Sequence, residues 1–291
     1  MAAEYLAASG RLDNEMKKRV VREILGAFIG LFAIVYVIQL LINMGSELPA
    51  TISDTNTDRH KTVAIFGATG TAGDGLLKAA MNDPDVQRIH VITRRLSPRI
   101  EAGVASGLVT ATLHMDYLDY SAVRDVFADV DTVYWAIGLS GFGLDEEIYC
   151  QIHLNFPCLF VAEWMSVTRD RDMSFHYISG NAANANSLMM WGREKAYAEG
   201  AFFESAEDSN LRVISYRPCY IAPTKEQSHF SHNALYAFLA PINFAVRATA
   251  IGQAMLEVSA RGPRLKNGMI IGNNEIIGYS NAYQQRRSSR E

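Results

Sequence analysis

Hydrophobic and polar positions change their rhythm twice along the chain. Residues 1–23 are polar with helical spacing. From Ile24 to Met44 the sequence then reads ILGAFIGLFAIVYVIQLLINM, without a charge and with only Gln39 and Asn43 as strongly polar breaks. A helix of that length rises about 30 Å, the hydrocarbon thickness of a bilayer. The run is apolar on all sides, unlike the striped helix that covers a soluble core. It is too long for the apolar region of a signal peptide, and no small-residue cleavage site follows it. The pattern therefore predicts a single-pass transmembrane helix over residues 24–44. The next stretch, 45–60, is rich in Ser, Thr, Asp and Asn and reads as a linker.

Beyond it, short apolar runs alternate with amphipathic stretches. Strands are expected at Thr62–Phe66, Ile89–Thr93, Val109–His114, Thr132–Ile137, Ser174–Ser179, Arg212–Tyr216 and Met269–Ile271. Helices are expected at Thr71–Met81, Tyr120–Phe127, Glu146–Thr168 and Met189–Ser205. Strand and helix in alternation mean βαβ units. The expected class is α/β, a Rossmann-type doubly wound parallel sheet over residues 61–280, followed by a polar tail at 281–291.

Composition narrows this further. The 291 residues are 49% hydrophobic and carry a formal charge of −4, which leaves nothing to suggest a nucleic-acid partner. Cys150, Cys158 and Cys219 form neither a disulfide framework nor a metal spacing, so no metal site is expected. Lys17, Lys18, Arg19 and Arg22 precede the apolar run, and only Arg59 follows it closely. That charge bias keeps the N-terminus cytosolic and sends the domain across the membrane. Against export, the sequence has no N-x-Ser/Thr site and no disulfide pattern, and the sidedness stays open at this point.

The first strand runs directly into GATGTAG, Gly67 to Gly73, and then into a helix. This is the context in which a glycine-rich loop binds a dinucleotide. Gly67 permits the tight turn, Gly70 lets the backbone approach the pyrophosphate, and Gly73 allows helix and strand to pack closely. Thr69, Thr71 and Ala72 complete the loop, and the helix N-terminus supplies N–H donors to the phosphates. The second strand ends in TRR, where many NAD binders carry an acid. Arg94 and Arg95 suit a 2′-phosphate, which gives a preference for NADP(H) with NAD(H) still possible. Asp116 after the third strand is placed at the adenine edge. Ala136 and Gly138 after the fourth would line the cofactor.

These residues resemble the atypical short-chain dehydrogenases/reductases. More narrowly, they resemble the NAD(P)H-binding branch that includes proteins labelled epimerase or dehydratase and the Tat-interacting oxidoreductase-like proteins. The resemblance covers roughly Lys61 to Ile277 and rests on GATGTAG, TRR, HYISG, MMWGREKAYAE and SYRP; the apolar N-terminal run lies outside it. It implies a Ser, Tyr and Lys set, in which Tyr exchanges a proton with the substrate oxygen while Lys tunes it and holds the nicotinamide ribose. Ser179 and Lys195 occupy the Ser and Lys positions. Trp191 stands where the Tyr belongs, and an indole is no acid or base near neutral pH. Tyr177 and Tyr197 remain as substitutes, Tyr177 the better, although neither has the i, i+4 spacing to Lys195.

Among the rest, Asn155 sits where relatives often organise a water, and Pro157 suggests an irregular start to that helix. Cys219 is a possible pocket residue. His229 and His232 lack a third ligand. The apolar segment Phe230–Phe244 would cover the cleft. The leading reading is an NAD(P)-dependent oxidoreductase anchored in the bilayer through residues 24–44 and acting on a small apolar substrate. The alternative is a cofactor-holding protein without turnover, like the NADPH-holding accessory subunit of respiratory complex I, working within a protein complex. Both need the glycine loop and Lys195; the Trp191 replacement favours the second.

Overall fold

The computed structural model describes residues 2–44, 61–141, 143–168, 171–262 and 265–290. The chain divides into two compact units, Met1–Glu47 and Leu48–Glu291. The described residues of the first form one helix, α1, Ala2–Met44. Its stretch Met16–Asn43 has a mean hydropathy of 2.5 and is long and apolar enough to cross a membrane by length and composition. None of its most apolar window is buried. Gln39 donates to Asn43 one turn on at 3.3 Å, so the two polar breaks satisfy each other along the helix. The expected linker 45–60 lies outside the described residues.

The second unit is built on seven strands: β1 (Thr62–Phe66), β2 (Arg88–Thr93), β3 (Val109–Leu113), β4 (Thr132–Trp135), β5 (Met173–Ile178), β6 (Leu211–Arg217) and β9 (Met269–Gly272). Their order is β3-β2-β1-β4-β5-β6-β9, and every pairing is parallel. This is the expected doubly wound sheet. The order reverses between β1 and β4, and it is outside the carboxyl ends of strands at such a reversal that ligands bind.

Both faces of the sheet are covered, which is why its strands read as apolar runs without alternation. On one face Val63, Ile65, Val91 and Ile214 pack with Leu76 of α2 (Thr71–Met81), Ile251 and Met255 of α8 (Ala248–Ser259) and Ile276 of α9 (Asn273–Ser288). On the other, Phe66, Trp135, Phe175 and Tyr177 meet Phe160 and Trp164 of α5 (Phe156–Val167) and Phe202 of α6 (Met190–Ser205). Phe66 stacks on Trp135 with centroids 4.6 Å apart, where β1 and β4 pair. The shorter helices α3 (Pro98–Ala105) and α7 (Phe230–Leu239), and a parallel pair of β7 (Tyr220–Ala222) with β8 (Ala245–Arg247), complete the unit.

Besides the helix expected at Tyr120–Phe127, which is a 3₁₀ helix over Ser121–Phe127, two elements depart from expectation. The helix expected over Glu146–Thr168 is in three parts: α4 (Glu146–Cys150), a π-turn over Gln151–Asn155, and α5. Pro157 explains the interruption. In a regular helix its N–H would donate to the carbonyl of His153, but proline has none. The preceding N–H, of Phe156, reaches back to Gln151 in the wider π register. The second departure is at the end of the chain. Residues 281–288 are no polar tail: α9 runs to Ser288 and buries Ala282, Tyr283 and Arg286. Arg286 donates to the fully buried Glu257 at 2.8 Å and to Asp85 at 3.2 Å. Those partners are distant in sequence, so the polar run gave no sign that one face of it is inside.

Candidate cofactor and active site

The glycine loop is shaped by close approach. Gly67 has φ of +79°, and a Cβ there would lie 2.5 Å from the Ala136 carbonyl carbon. At Gly73 a Cβ would lie 2.0 Å from the Gly67 oxygen, so α2 can begin this near to β1 only with glycine. Gly70 is different. Its Cβ would meet nothing nearer than the Gly67 oxygen at 3.4 Å. The side of the loop that Gly70 faces is therefore open, and Gly70 and Thr71 are exposed there while Thr69 and Ala72 are half-buried. Gly70 caps α2 with no side-chain bond, which leaves the first-turn donors for an anion.

Around that loop lie the carboxyl ends of the neighbouring strands. Arg94 and Arg95 follow β2 with exposed side chains that form no ion pair with any described residue. Their segment is pinned by Thr93, whose hydroxyl donates to the Arg95 carbonyl at 2.8 Å. Asp116, after β3, is exposed, and its carboxylate accepts the Leu118 N–H at 2.9 Å. Ala136 is half-buried and Gly138 exposed at the end of β4.

A second cluster sits at the ends of β4 and β5. Lys195, on α6, is buried, and its ammonium donates to the Tyr177 hydroxyl at 2.9 Å and to the Ile178 carbonyl at 3.0 Å. Burial pulls the amine down to about 7, against the opposing pull of Glu199. Tyr177 in turn donates to the His153 carbonyl at 3.2 Å. That carbonyl is the one Pro157 cannot serve, so the π-turn, the tyrosine and the lysine form one chain of consequences. Tyr177 has no exposed surface, and burial raises its phenol well above the ordinary value. With its hydroxyl engaged on both sides, it holds the lysine and has no open path to an outside carbonyl.

Ser179 follows β5, is 9% exposed, and its Oγ is buried without a hydrogen-bond partner. Trp191 is half-buried, and a Cβ on Gly141 would lie 2.7 Å from the Trp191 Cβ, so the side chain covers the loop after β4. Tyr197 is 66% exposed on the outer side of α6. Asn155 is also exposed, and it is His153 that turns inward from the π-turn. Its Nε2 lies 3.3 Å from both the N–H and the carbonyl of Leu139, and its Nδ1 is buried without a partner. Burial, with Lys195 nearby, lowers this imidazole to about 3 and keeps it neutral. Sequence reading missed His153, because a lone histidine on an apolar helix carries no motif. Proline four residues later was the available signal.

The remaining candidates are elsewhere or structurally engaged. The Cys219 N–H donates to Asn273 at 2.9 Å, and burial raises its thiol. His232 Nδ1 lies 3.4 Å from the His229 N–H at the start of α7. Among the described residues no group of three or more His, Cys, Asp or Glu side chains gathers as a metal site would require. Exposed apolar side chains stand on the segments after β4 (Leu139), β5 (Leu188, Met189) and β7 (Phe230).

No family model matches the sequence, and no curated protein matches it. Solved structures do match the fold. A short-chain dehydrogenase/reductase from Saccharomyces cerevisiae is similar with TM-score 0.58 at 14% identity, over 74% of this chain and 96% of that one. A 3-oxoacyl-[acyl-carrier protein] reductase from Brucella melitensis gives TM-score 0.58 at 17% identity, over 75% and 98% of the two chains. UDP-glucuronic acid 4-epimerase from Bacillus cereus, solved in complex with NAD, gives 0.54 at 13%, over 72% and 76%. The chain thus carries the Rossmann-like fold of the short-chain dehydrogenases/reductases.

Proposed function

We propose that this protein is a membrane-anchored NAD(P)(H)-binding oxidoreductase-like protein that prefers NADP(H) and takes an apolar small molecule. The observation that carries the reading is the loop at the β1–β4 reversal, where glycine is forced at Gly67 and Gly73 by packing, yet Gly70 faces open space. Packing gives no reason for glycine there; a phosphate-bearing ligand does. Gly67, Thr69, Gly70, Thr71, Ala72 and Gly73 would cradle the pyrophosphate. Arg94 and Arg95 would take a 2′-phosphate, Asp116 the adenine edge, and Ala136 and Gly138 the middle of the dinucleotide. When bound, the cofactor supplies or accepts the hydride.

The chain's own residues then have separable roles. Ser179 Oγ, buried and unpartnered, would hydrogen-bond a substrate oxygen. Lys195, held by the Tyr177 hydroxyl and the Ile178 carbonyl, would bind the nicotinamide ribose. Tyr177 would act by holding Lys195. The exposed Leu139, Leu188, Met189 and Phe230 favour an apolar substrate, and α1 supplies the single-pass anchor. The enclosure of Tyr177 and the placement of Trp191 favour a second reading, a cofactor holder without turnover in a protein complex. Titration with NADPH and NADH tests the first claim: binding of neither overturns it, and tighter NADH overturns the preference. Lys195→Ala and Ser179→Ala separate the two readings. An enzyme loses turnover with both; a holder loses cofactor with the first and nothing with the second.

A further inference from the structure

One carboxylate, apart from the cofactor and lysine clusters, ties the glycine loop to the segment that leads into α7. Asp74 directly follows Gly73, and its N–H closes the loop onto the Gly70 carbonyl at 2.8 Å. Its side chain is 2% exposed and accepts three hydrogen bonds. Arg99 Nε and Nη2, from the first turn of α3, donate at 2.7 and 3.2 Å, and the Thr224 hydroxyl donates at 2.7 Å. A buried carboxylate is costly unless paired and hydrogen-bonded. Here Arg99 also neutralises a negative charge that would otherwise stand beside the anion expected at the start of α2. The same arginine reaches Glu226 at 3.4 Å, and Lys78 of α2 holds Glu226 at 2.5 Å. The side chains of Thr224 and Glu226 are therefore fastened to α2 and α3.

The helix beyond them is loosely held. α7 has no buried residue. Asn233 accepts the Ser228 hydroxyl at 3.0 Å and Arg247 Nη1 and Nη2 at 3.2 and 3.3 Å, and Arg247 stacks on Tyr236 at 4.2 Å. An element with so little buried surface opens readily.

We propose that Asp74 is a positioning residue that transmits occupancy of the Gly67–Gly73 loop through Thr224 to α7, so that cofactor binding steadies the segment flanking the substrate side. This rests on the cofactor reading of the loop. A ligand that fixes the loop fixes Asp74 with it, and any group bonded to Asp74 shares in that stabilisation by linkage. Arg99 fixes the start of α3, and with it the Arg94–Arg95 turn, to the same point.

Hydrogen exchange on the full-length protein in detergent, with and without saturating NADPH, tests this. NADPH is expected to slow exchange at residues 67–76 and, by about tenfold, at the amides of 230–239. Thr224→Val cuts the tether but leaves the Asp74–Arg99 pair; it is expected to bind NADPH within about threefold of native while losing protection over 230–239. Thr224→Ser keeps the hydroxyl and should restore it. If the valine variant does not fold, Thr224→Ala, which removes the hydroxyl while leaving the Asp74–Arg99 pair, is expected to lower the protection of 230–239 in the same way. Protection of 67–76 without protection of 230–239 in the native protein overturns the coupling alone, as does full protection in either variant. No protection at either place, with NADPH or NADH, overturns the cofactor reading and this proposal with it.

Discussion

The Lys195 ammonium donates to the Tyr177 hydroxyl at 2.9 Å, from a helix to a strand end, across a sequence separation that no local pattern reveals. The phenol in turn donates to the His153 carbonyl that Pro157 leaves without a partner. Removing the hydroxyl leaves both a buried ammonium and a buried carbonyl short of a bond. Tyr177→Phe should therefore cost about 1–3 kcal/mol of stability. Denaturant midpoints measure it. If Tyr177 acts through Lys195, the same change should weaken NADPH binding, and Lys195→Arg should not rescue it because a planar guanidinium does not fit a site built for a point charge.

The lowered value of Lys195 gives a stability signature with a definite sign. Unfolded, the amine titrates near 10.5; folded, near 7. Between those values the unfolded state holds more protons, so stability rises with pH across the window. Lys195→Met removes that slope. The variant should gain on the native protein at pH 6 to 7, and the gain should shrink toward pH 10. Melting temperatures across that range would show a pH-independent difference between the two proteins if the amine stayed at its ordinary value.

His153 contributes at the acid end. Its folded value of about 3 lies below the ordinary 6.5. The unfolded chain takes up this proton first, so stability is lost as pH falls below about 6.5 and the loss is complete near 3. His153→Gln should flatten the decline of the melting temperature between pH 7 and 5. An unchanged decline would mean that the imidazole is not held neutral.

Gly73 and Gly70 should separate folding from binding. Gly73→Ala places a Cβ 2.0 Å from a backbone oxygen and should unfold the loop. Gly70→Ala meets only an oxygen at 3.4 Å, so its melting temperature should stay within a few degrees of native. Its affinity for NADPH should nevertheless fall by about tenfold or more, because the added methyl occupies the side where the pyrophosphate approaches. Native affinity in Gly70→Ala would remove the main support for the cofactor site.

For the anchor, the full chain should remain with the membrane fraction after an alkaline carbonate wash. Introducing Leu31→Arg and Ile34→Arg near the middle of the apolar run costs about 2.5–3.5 kcal/mol each on insertion scales and should release it. Retention of the double variant would mean that α1 does not span.

The sequence by itself determined the sheet, because strands buried on both faces must be continuous apolar runs, and the spacing between them admits little but crossover helices. It determined the glycine loop, whose conformation is local and needs specific residues at fixed offsets. It also marked the apolar length of α1, which depends on composition alone. The tertiary structure decided the rest. That Tyr177 is a support for Lys195, that His153 turns inward, that Asp74 joins Arg99 to Thr224, and that residues 281–288 bury one face all depend on partners many residues away. Each is a polar group whose state is set by its partner after folding. Apolar burial follows periodicity and is legible in one dimension; a buried hydrogen bond belongs to two segments at once, and only the fold brings them together.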